Sequence, residues 1–358
     1  MAAIDDIFKK WNKDKGYQIA SDGVEWQDVE RIPFSSPRLN YILRGGAPAV
    51  GITELSGPES AGKSLIALDL VSNAQKKWPD KDTVWFDIET GFDSRWAALQ
   101  GVNINKLKYV APEMESAESI FDMIIQLLSS PDTDMSVIVL DSIAALIPKS
   151  EFEKEQTDSA VIGGIAKPLT RFCNRVAPLL RHKHCALIMI NQVRDDMNSM
   201  YGGVVTPGGR GARHAALVRL EVRRSDFFDE NGNVVSSQAE NPAGHKIKVK
   251  VLKTKVCKPD RKVGFCTLVY RTGLDVIADV AEVGTLLGMF QKKGAWIYAP
   301  DENGEIQGYQ GKAKFREYLD NNPEMLSLYQ QRIDEMLTAS DDEEKENYYK
   351  SILEPINE

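Results

Sequence analysis

Residues 51–70 read GITELSGPESAGKSLIALDL. A strand-like run ends near Gly57 and a helix-like run begins after Lys63, with Gly57-x-x-x-x-Gly62-Lys63-Ser64 between them. A phosphate-binding loop needs this context, because backbone N–H groups of the loop and of the helix start then point at phosphate oxygens. The loop Gly57, Pro58, Glu59, Ser60, Ala61, Gly62, Lys63 and Ser64 is expected to wrap a nucleoside triphosphate. Lys63 would set a positive charge at the β and γ oxygens, and the Ser64 hydroxyl would face a Mg2+ ion.

Three near-continuous apolar runs of strand length follow: VWFDI (84–88), VIVLD (137–141) and CALIMIN (185–191). Such runs, separated by helical patterns, indicate parallel strands buried on both faces. LVRLEV (217–222) and IKVKVL (247–252) alternate instead and suggest half-exposed strands, joined by the turn-rich FFDENGNVVSSQAENPAG. The expected fold is an α/β core with a mostly parallel central sheet and antiparallel strands added at one edge. The parallel runs end in polar groups: Asp87 and Glu89, Asp141, and Asn191 and Gln192. Ligands of open parallel sheets bind outside the carboxyl ends of the strands, so one rule brings these residues to the edge that holds Lys63. Asp141 fits the carboxylate that holds Mg2+, Glu89 is placed to activate the attacking water, and Gln192 could bond the γ-phosphate. Each alone would equally serve as a strand-end cap. Their convergence favours a site.

The rest of the chain narrows the class. The formal charge is -8, but residues 334–358 hold nine acidic and two basic side chains, so that tail carries -7 and the remainder about -1. Cys173, Cys185, Cys257 and Cys266 form no CxxC pair and no metal-like spacing with the four histidines, which suits reduced thiols. The start, MAAIDDIFKKWNKDKG, has no apolar secretory region, and no run approaches membrane-spanning length, so a soluble cytoplasmic protein with no membrane partner is expected. Residues 4–12 put Ile4, Ile7, Phe8 and Trp11 at helical spacing; such a helix packs on its own domain or docks on a neighbouring subunit. Beyond Gly273, amphipathic helices surround a small strand–turn element, giving a small α+β domain before the acidic tail.

The sequence resembles bacterial RecA-type recombinases over nearly its whole length. GPESAGKS matches that family's phosphate loop, and FDIETGFDSRWAALQGV its glutamate segment, with Asp93 and Trp96 where the family contacts adenine. VIVLDSIAALIPKSE resembles its Mg2+ strand, INQVR the strand with the γ-phosphate-sensing glutamine, and GAWIY with GKAKFREYLDNNPE its C-terminal domain. The resemblance implies that Lys253 and Lys255, in VKVLKTKVCKP, reach the ATP of a neighbouring subunit; read alone, the eight Lys/Arg against one Asp in 246–262 describe a solvated basic face. Tyr270 is a candidate for stacking on adenine and equally a core residue. The resemblance places two DNA-binding loops at 155–164 and 201–213. Lys167, Arg171 and Arg175, spaced four apart, form a cationic stripe beside Thr170 on the helix after the first loop. The second loop, YGGVVTPGGRGAR, begins nine residues after Gln192; with Arg194, Met200, Tyr201, Gly208, Gly209, Arg210 and Arg213 it supplies cations and a wedge for phosphate contacts to a single strand. Its glycines are expected to give freedom to order only with ATP and DNA. Arg210 stands where bacterial members usually carry an amide, which with the short tail suggests a divergent, phage-encoded member.

The resemblance implies a RecA-type P-loop ATPase core at 36–272, an N-terminal helical polymerisation element at 1–35, a small C-terminal α+β domain at 273–338 and an acidic tail at 339–358. The expected activity is ATP-dependent filament formation on single-stranded DNA, with homologous pairing and strand exchange on double-stranded DNA. A ring-forming helicase on the same core and a passive single-strand-binding protein are the alternatives; intact Lys63, Glu89 and Asp141 speak against the second.

Overall fold

The computed structural model describes residues 29–112, 115–152, 164–195, 204, 205, 207–230 and 233–338, with 6, 7, 9, 10 and 13. Contacts divide the chain into Met1–Glu30 and Arg31–Glu358. In the first unit Ile7 is helical and 55% exposed; Ile4, Phe8 and Trp11 lie outside the described residues, as do 339–358.

The central sheet takes its strands from the segments read as apolar or alternating. In chain order they are β1 (Gly51–Gly57), β2 (Asp82–Asp87), β3 (Leu107–Val110), β4 (Met135–Asp141), β5 (Ala186–Gln192), β6 (Val218–Phe228), β7 (Gly244–Thr254), β8 (Val263–Val269) and β9 (Gly273–Leu274). Across the sheet the order is β9-β8-β7-β6-β1-β5-β4-β2-β3. From β6 to β3 every pairing is parallel, while β6, β7, β8 and β9 pair antiparallel. Continuous apolar runs make the parallel part because both faces are covered, whereas β6 and β7 alternate buried with exposed residues along one open face. β3 is short, lies at the sheet edge and buries only Leu107, so no periodicity announced it.

Helices cover both faces. Lys63–Lys77 (α1) packs on one, against Leu55, Val137, Val139 and Ile188. Ala117–Ser129 (α2) and Ala166–Lys183 (α3) pack on the other, against Ile52, Phe86, Ile138 and Leu187. Alternate strand residues divide between the two clusters, as a period of two requires. α2 starts where the Ser116 hydroxyl accepts from Ser119 N, and it buries Ala117, Ile120, Phe121, Ile124 and Leu128 along one stripe.

The last segment has its own cluster. Val276–Leu286 (α4) leads to a three-stranded antiparallel sheet, Gln291–Lys293, Trp296–Pro300 and Ile306–Gln310, then to Gly311–Asn321 (α5) and Pro323–Thr338 (α6). α5 is capped by Asn322, and Pro323 opens α6, where its missing N–H costs nothing. Phe290 and Tyr329 meet edge to face at 4.9 Å, and the Tyr329 hydroxyl donates to Pro300 O at 2.7 Å.

The short helix Pro37–Leu43 joins this cluster to the core, and the buried carboxyls of Asp69 and Asp279 and the half-buried one of Asp334 surround it. Asp279 accepts from the Ser36 hydroxyl, Asp334 from Asn40 Nδ2 at 2.9 Å, and Asp69 from Ser35 N at 2.9 Å. Burial pushes the carboxyls of Asp279 and Asp334 up to about 7, against those bonds. Their unfolded-state values sit near 4, so the folded chain binds these protons more tightly, and the stability they contribute is lost as pH rises from about 4 through about 7. Asp279→Asn keeps an acceptor for Ser36 without the charge. It should raise the unfolding midpoint at pH 8 by about 2 °C or more and leave it nearly unchanged at pH 5, as thermal melts at the two pH values would show.

Candidate functional site: a nucleotide edge joined to two loops

The phosphate loop is shaped by close approach. A Cβ on Gly57 would stand 2.0 Å from the Val222 carbonyl oxygen of β6, so only glycine fits there. Gly62 caps α1 at φ +96°, a left-handed conformation that favours glycine, and beneath it lies the Ile247 side chain of β7. This turn presents the first N–H groups of α1, at the positive end of the helix, to an anion. Lys63 is 7% exposed and donates to the carbonyl oxygens of Gly57 at 3.0 Å and Pro58 at 2.6 Å. Burial lowers its pKa, while the charges of Asp141, Glu89 and Glu59 work the other way.

The strand ends converge as the sheet rule requires. Register sets Gly57 beside Gln192 and Asp87 beside Asp141. Ser64 Oγ donates to Asp141 Oδ2 at 2.9 Å. Burial, then the carboxylates of Glu89 and Asp87, push Asp141 up to about 6 against the Ser64 bond and the Lys63 charge. Glu89 Oε1 accepts from Gln192 Nε2 at 2.8 Å and from the Ser142 hydroxyl. Glu89 and Gln192, singled out on separate strands, therefore touch. Ser64 and Asp141 make a hard-oxygen pair at an anion-binding loop, a donor set that suits Mg2+. Among the described residues no group of three His, Cys, Asp or Glu could hold a metal alone.

Asp87 has a task that the strand-end reading missed. Its carboxylate accepts from Gly91 N at 3.2 Å, Phe92 N at 2.9 Å and the Tyr109 hydroxyl at 2.9 Å, fastening the turn that carries Glu89. The signal was present as an aspartate followed by Thr90-Gly91, since such side chains bond backbone N–H groups a few residues on. Asp93 is exposed and caps the helix Ser94–Leu99, accepting from Arg95 N at 2.8 Å and Trp96 N at 3.2 Å. Trp96 is half-buried against the core. Tyr270 bonds His245 Nδ1 through its hydroxyl at 3.0 Å and leaves 40% of its surface exposed, so it is not a core residue.

Lys253 and Lys255 occupy an unexpected place. Lys253 Nζ donates to Arg213 O at 2.7 Å and His214 O at 2.9 Å, and Lys255 Nζ to His214 O at 3.4 Å. Both ammonium groups cap the negative end of a short helix, Gly209–Ala215, formed by the second loop's last residues. Burial first, then Lys255 and Arg219, lower the Lys253 pKa. The glycines here serve packing rather than freedom alone. A Cβ on Gly208, at φ +99°, would stand 2.4 Å from Leu169, and one on Gly211 2.2 Å from Thr170 Oγ1, so the helix Gly209–Ala215 lies against α3. Thr170 donates to Ala166 O at 2.7 Å within α3. Gly209 faces Ala166, Arg210 is exposed and Arg213 is half-buried.

The stripe of Lys167, Arg171 and Arg175 is exposed and lines a cavity of about 360 Å³ with Glu118 and Asp122 of α2. Arg175 and Asp122 are 3.4 Å apart, at side-chain exposures of 56% and 70%. A pair so exposed contributes about 0–1 kcal/mol, too little to keep Arg175 from another anion. The backbone of Arg194 and Asp195 pairs with Val204 and Val205 at the base of the second loop. Met200, Tyr201 and most of the first loop lie outside the described residues, as does the Arg194 side chain.

An open α/β sheet with a phosphate loop, a hydroxyl–carboxylate pair and a glutamate held by a glutamine defines a P-loop ATPase. The RecA N-terminal domain family matches residues 1–275. The chain is 33% identical to Protein RecA of Aquifex aeolicus over 335 residues, covering 93% of this chain and 91% of that one. It is 35% identical to Protein RecA of Thermus aquaticus over 324 residues, covering 89% and 90%, and 34% identical to that of Pseudomonas fluorescens over 345 residues, covering 95% and 92%. The chain belongs to the RecA family, the ATP-dependent recombinases of DNA recombination and repair. These relatives are bacterial and lend no support to a phage origin. Among the described residues no helix is long and apolar enough to cross a membrane.

Asp87→Ala frees the turn that carries Glu89. It should lower kcat for ATP hydrolysis by about tenfold or more with little change in KM, because Glu89 is displaced from the strand-end cluster while the phosphate loop is intact. Steady-state kinetics would show this, and an unchanged kcat would remove Asp87 from the account.

Proposed function

We propose that ATP binds at the carboxyl edge of β1, β4 and β5 and that its hydrolysis switches the chain between strong and weak DNA binding. The contact of Gln192 with Glu89, beside the Ser64–Asp141 pair, carries this reading. Lys63 and the loop N–H groups hold the phosphates, Ser64 and Asp141 hold Mg2+, and Asp93 and Trp96 flank the base, with Tyr270 a further stacking candidate. Bound Mg2+ offsets the charge of the phosphate oxygens. A γ-phosphate oxygen competes with Glu89 for the Gln192 amide, since it carries more charge than one carboxylate oxygen. Drawing Gln192 away leaves Glu89 Oε1 to orient the attacking water and take its proton.

Residues 1–35 join each chain to the next in a helical filament, 36–272 form the ATPase core, 273–338 the small C-terminal domain and 339–358 an acidic tail. Lys253 and Lys255 reach the nucleotide of the neighbouring chain and offset transition-state charge there. Single-stranded DNA lies along Lys167, Thr170, Arg171, Arg175 and the second loop, with Arg194, Met200, Tyr201, Gly208, Gly209, Arg210 and Arg213 meeting phosphates and base steps, and a duplex is tested against it by base pairing.

Glu89→Gln should keep ATP-dependent DNA binding and lose turnover by about 100-fold or more, read by filter binding and phosphate release. Loss of DNA binding together with turnover would remove Glu89 from the base role. Arg210→Ala should weaken DNA binding and reduce the slope of log K against log salt by about 1, with ATP affinity unchanged.

A further inference from the structure

We propose that Asn191 is a positioning residue that fastens the far end of the second loop to the buried carboxylate of Glu54, so that movement of Gln192 is passed to the helix Gly209–Ala215. The proposal rests on the reading of Gln192 as the group that answers the γ-phosphate.

Asn191 and Gln192 are consecutive on β5, so their side chains point to opposite faces. Gln192 meets Glu89 on the nucleotide side. Asn191 is 1% exposed and uses both hydrogens of its amide: Nδ2 donates to Glu54 Oε1 at 2.9 Å and to Pro207 O at 3.0 Å. Its Oδ1 has no partner among the described residues, so every bond it makes there is a donation. Glu54 lies on β1 at 2% exposure, and its other oxygen accepts from Arg219 Nε on β6. Register places Arg219 directly beside Glu54. The carboxylate thus ties together β1, β5 and β6, the strands that carry the phosphate loop, the γ-phosphate sensor and the return from the second loop.

The chain leaves the sheet after Gln192 and returns at Pro207, one residue before Gly208, the N-cap of the helix. Asn191 therefore grips the start of this helix, while Lys253, beside Arg219 in register, grips its end. A shift of Asn191 at the end of β5 either carries Pro207 with it or breaks the bond from its amide to the Pro207 carbonyl, while the other hydrogen of that amide is held by the charged Glu54. Without the amide, Pro207 O and Glu54 Oε1 each lose a donor, and the helix no longer follows the strand.

Hydrogen–deuterium exchange of the full chain, with and without Mg2+ and a non-hydrolysable ATP analogue, tests this in the absence of DNA. In the unaltered chain the analogue should slow exchange at the start of α1 and in Gly209–Ala215. Asn191→Ala, and Asn191→Leu, which keeps the volume, should leave the response of α1 in place and cut that of Gly209–Ala215 by about tenfold. The proposal is overturned if either variant keeps the full response in Gly209–Ala215. It is also overturned if protection there falls equally with and without the analogue, or if the unaltered helix does not respond. Glu54→Gln, which keeps an acceptor, should retain more of the response than Glu54→Ala. DNA affinity measured on the same samples tests the underlying reading separately: an unaltered chain whose DNA affinity is indifferent to the analogue contradicts the function of Gln192 whatever the exchange shows.

Discussion

The molecule depends on the constraint that β1, β2, β4 and β5 run parallel and end together. Parallel strands need crossovers, the helices of those crossovers bury both faces of the sheet, and the strand ends are left as the place where polar groups can gather. From that constraint come the Gln192–Glu89 contact, the Ser64–Asp141 pair and the turn held by Asp87. Apart from Asp87 and Glu89, these residues are far from one another in sequence. The sheet brings them within hydrogen-bond reach, and burial first, then the neighbouring charges of Glu89 and Asp87, push Asp141 up to about 6.

The same edge is where the proposed reporting of the nucleotide begins. Gln192 meets Glu89 at the phosphate-loop edge, Asn191 is buried, and the amide of Asn191 holds the Pro207 carbonyl at the far end of the second loop. The buried pair of Glu54 and Arg219 makes this stiff, because removing one partner of such a pair costs about 3–5 kcal/mol. Lys253 and Lys255, held by the carbonyls of Arg213 and His214, put the proposed contacts to a neighbour's nucleotide on the other end of the same short helix. One seven-residue helix is thus held at its start by Asn191 and at its end by the two lysines.

Much of this was legible in the sequence, and the limits have physical reasons. The phosphate loop and the three apolar strands were readable because burial on both faces and the steric needs of Gly57 and Gly62 leave little choice of residue. Glu89, Asp141 and Gln192 followed from the rule about strand ends. The tasks of Asp87, Asn191 and Glu54 were not legible, since they depend on which backbone atoms return to them from distant segments. The glycines of the second loop read as freedom; the structure gives Gly208 and Gly211 the opposite task of close packing against Leu169 and Thr170. Spacing alone cannot distinguish a glycine that moves from one that makes room.

The central claim is that ATP at this edge commits the chain to pairing homologous DNA. The most direct measurement is joint-molecule formation between a single strand and a homologous supercoiled duplex, with ATP or with a non-hydrolysable analogue. The account predicts homology-dependent joint molecules with either nucleotide and none without, with release of the protein requiring ATP. Single-strand binding and ATP turnover without homology-dependent joints under either nucleotide would contradict it.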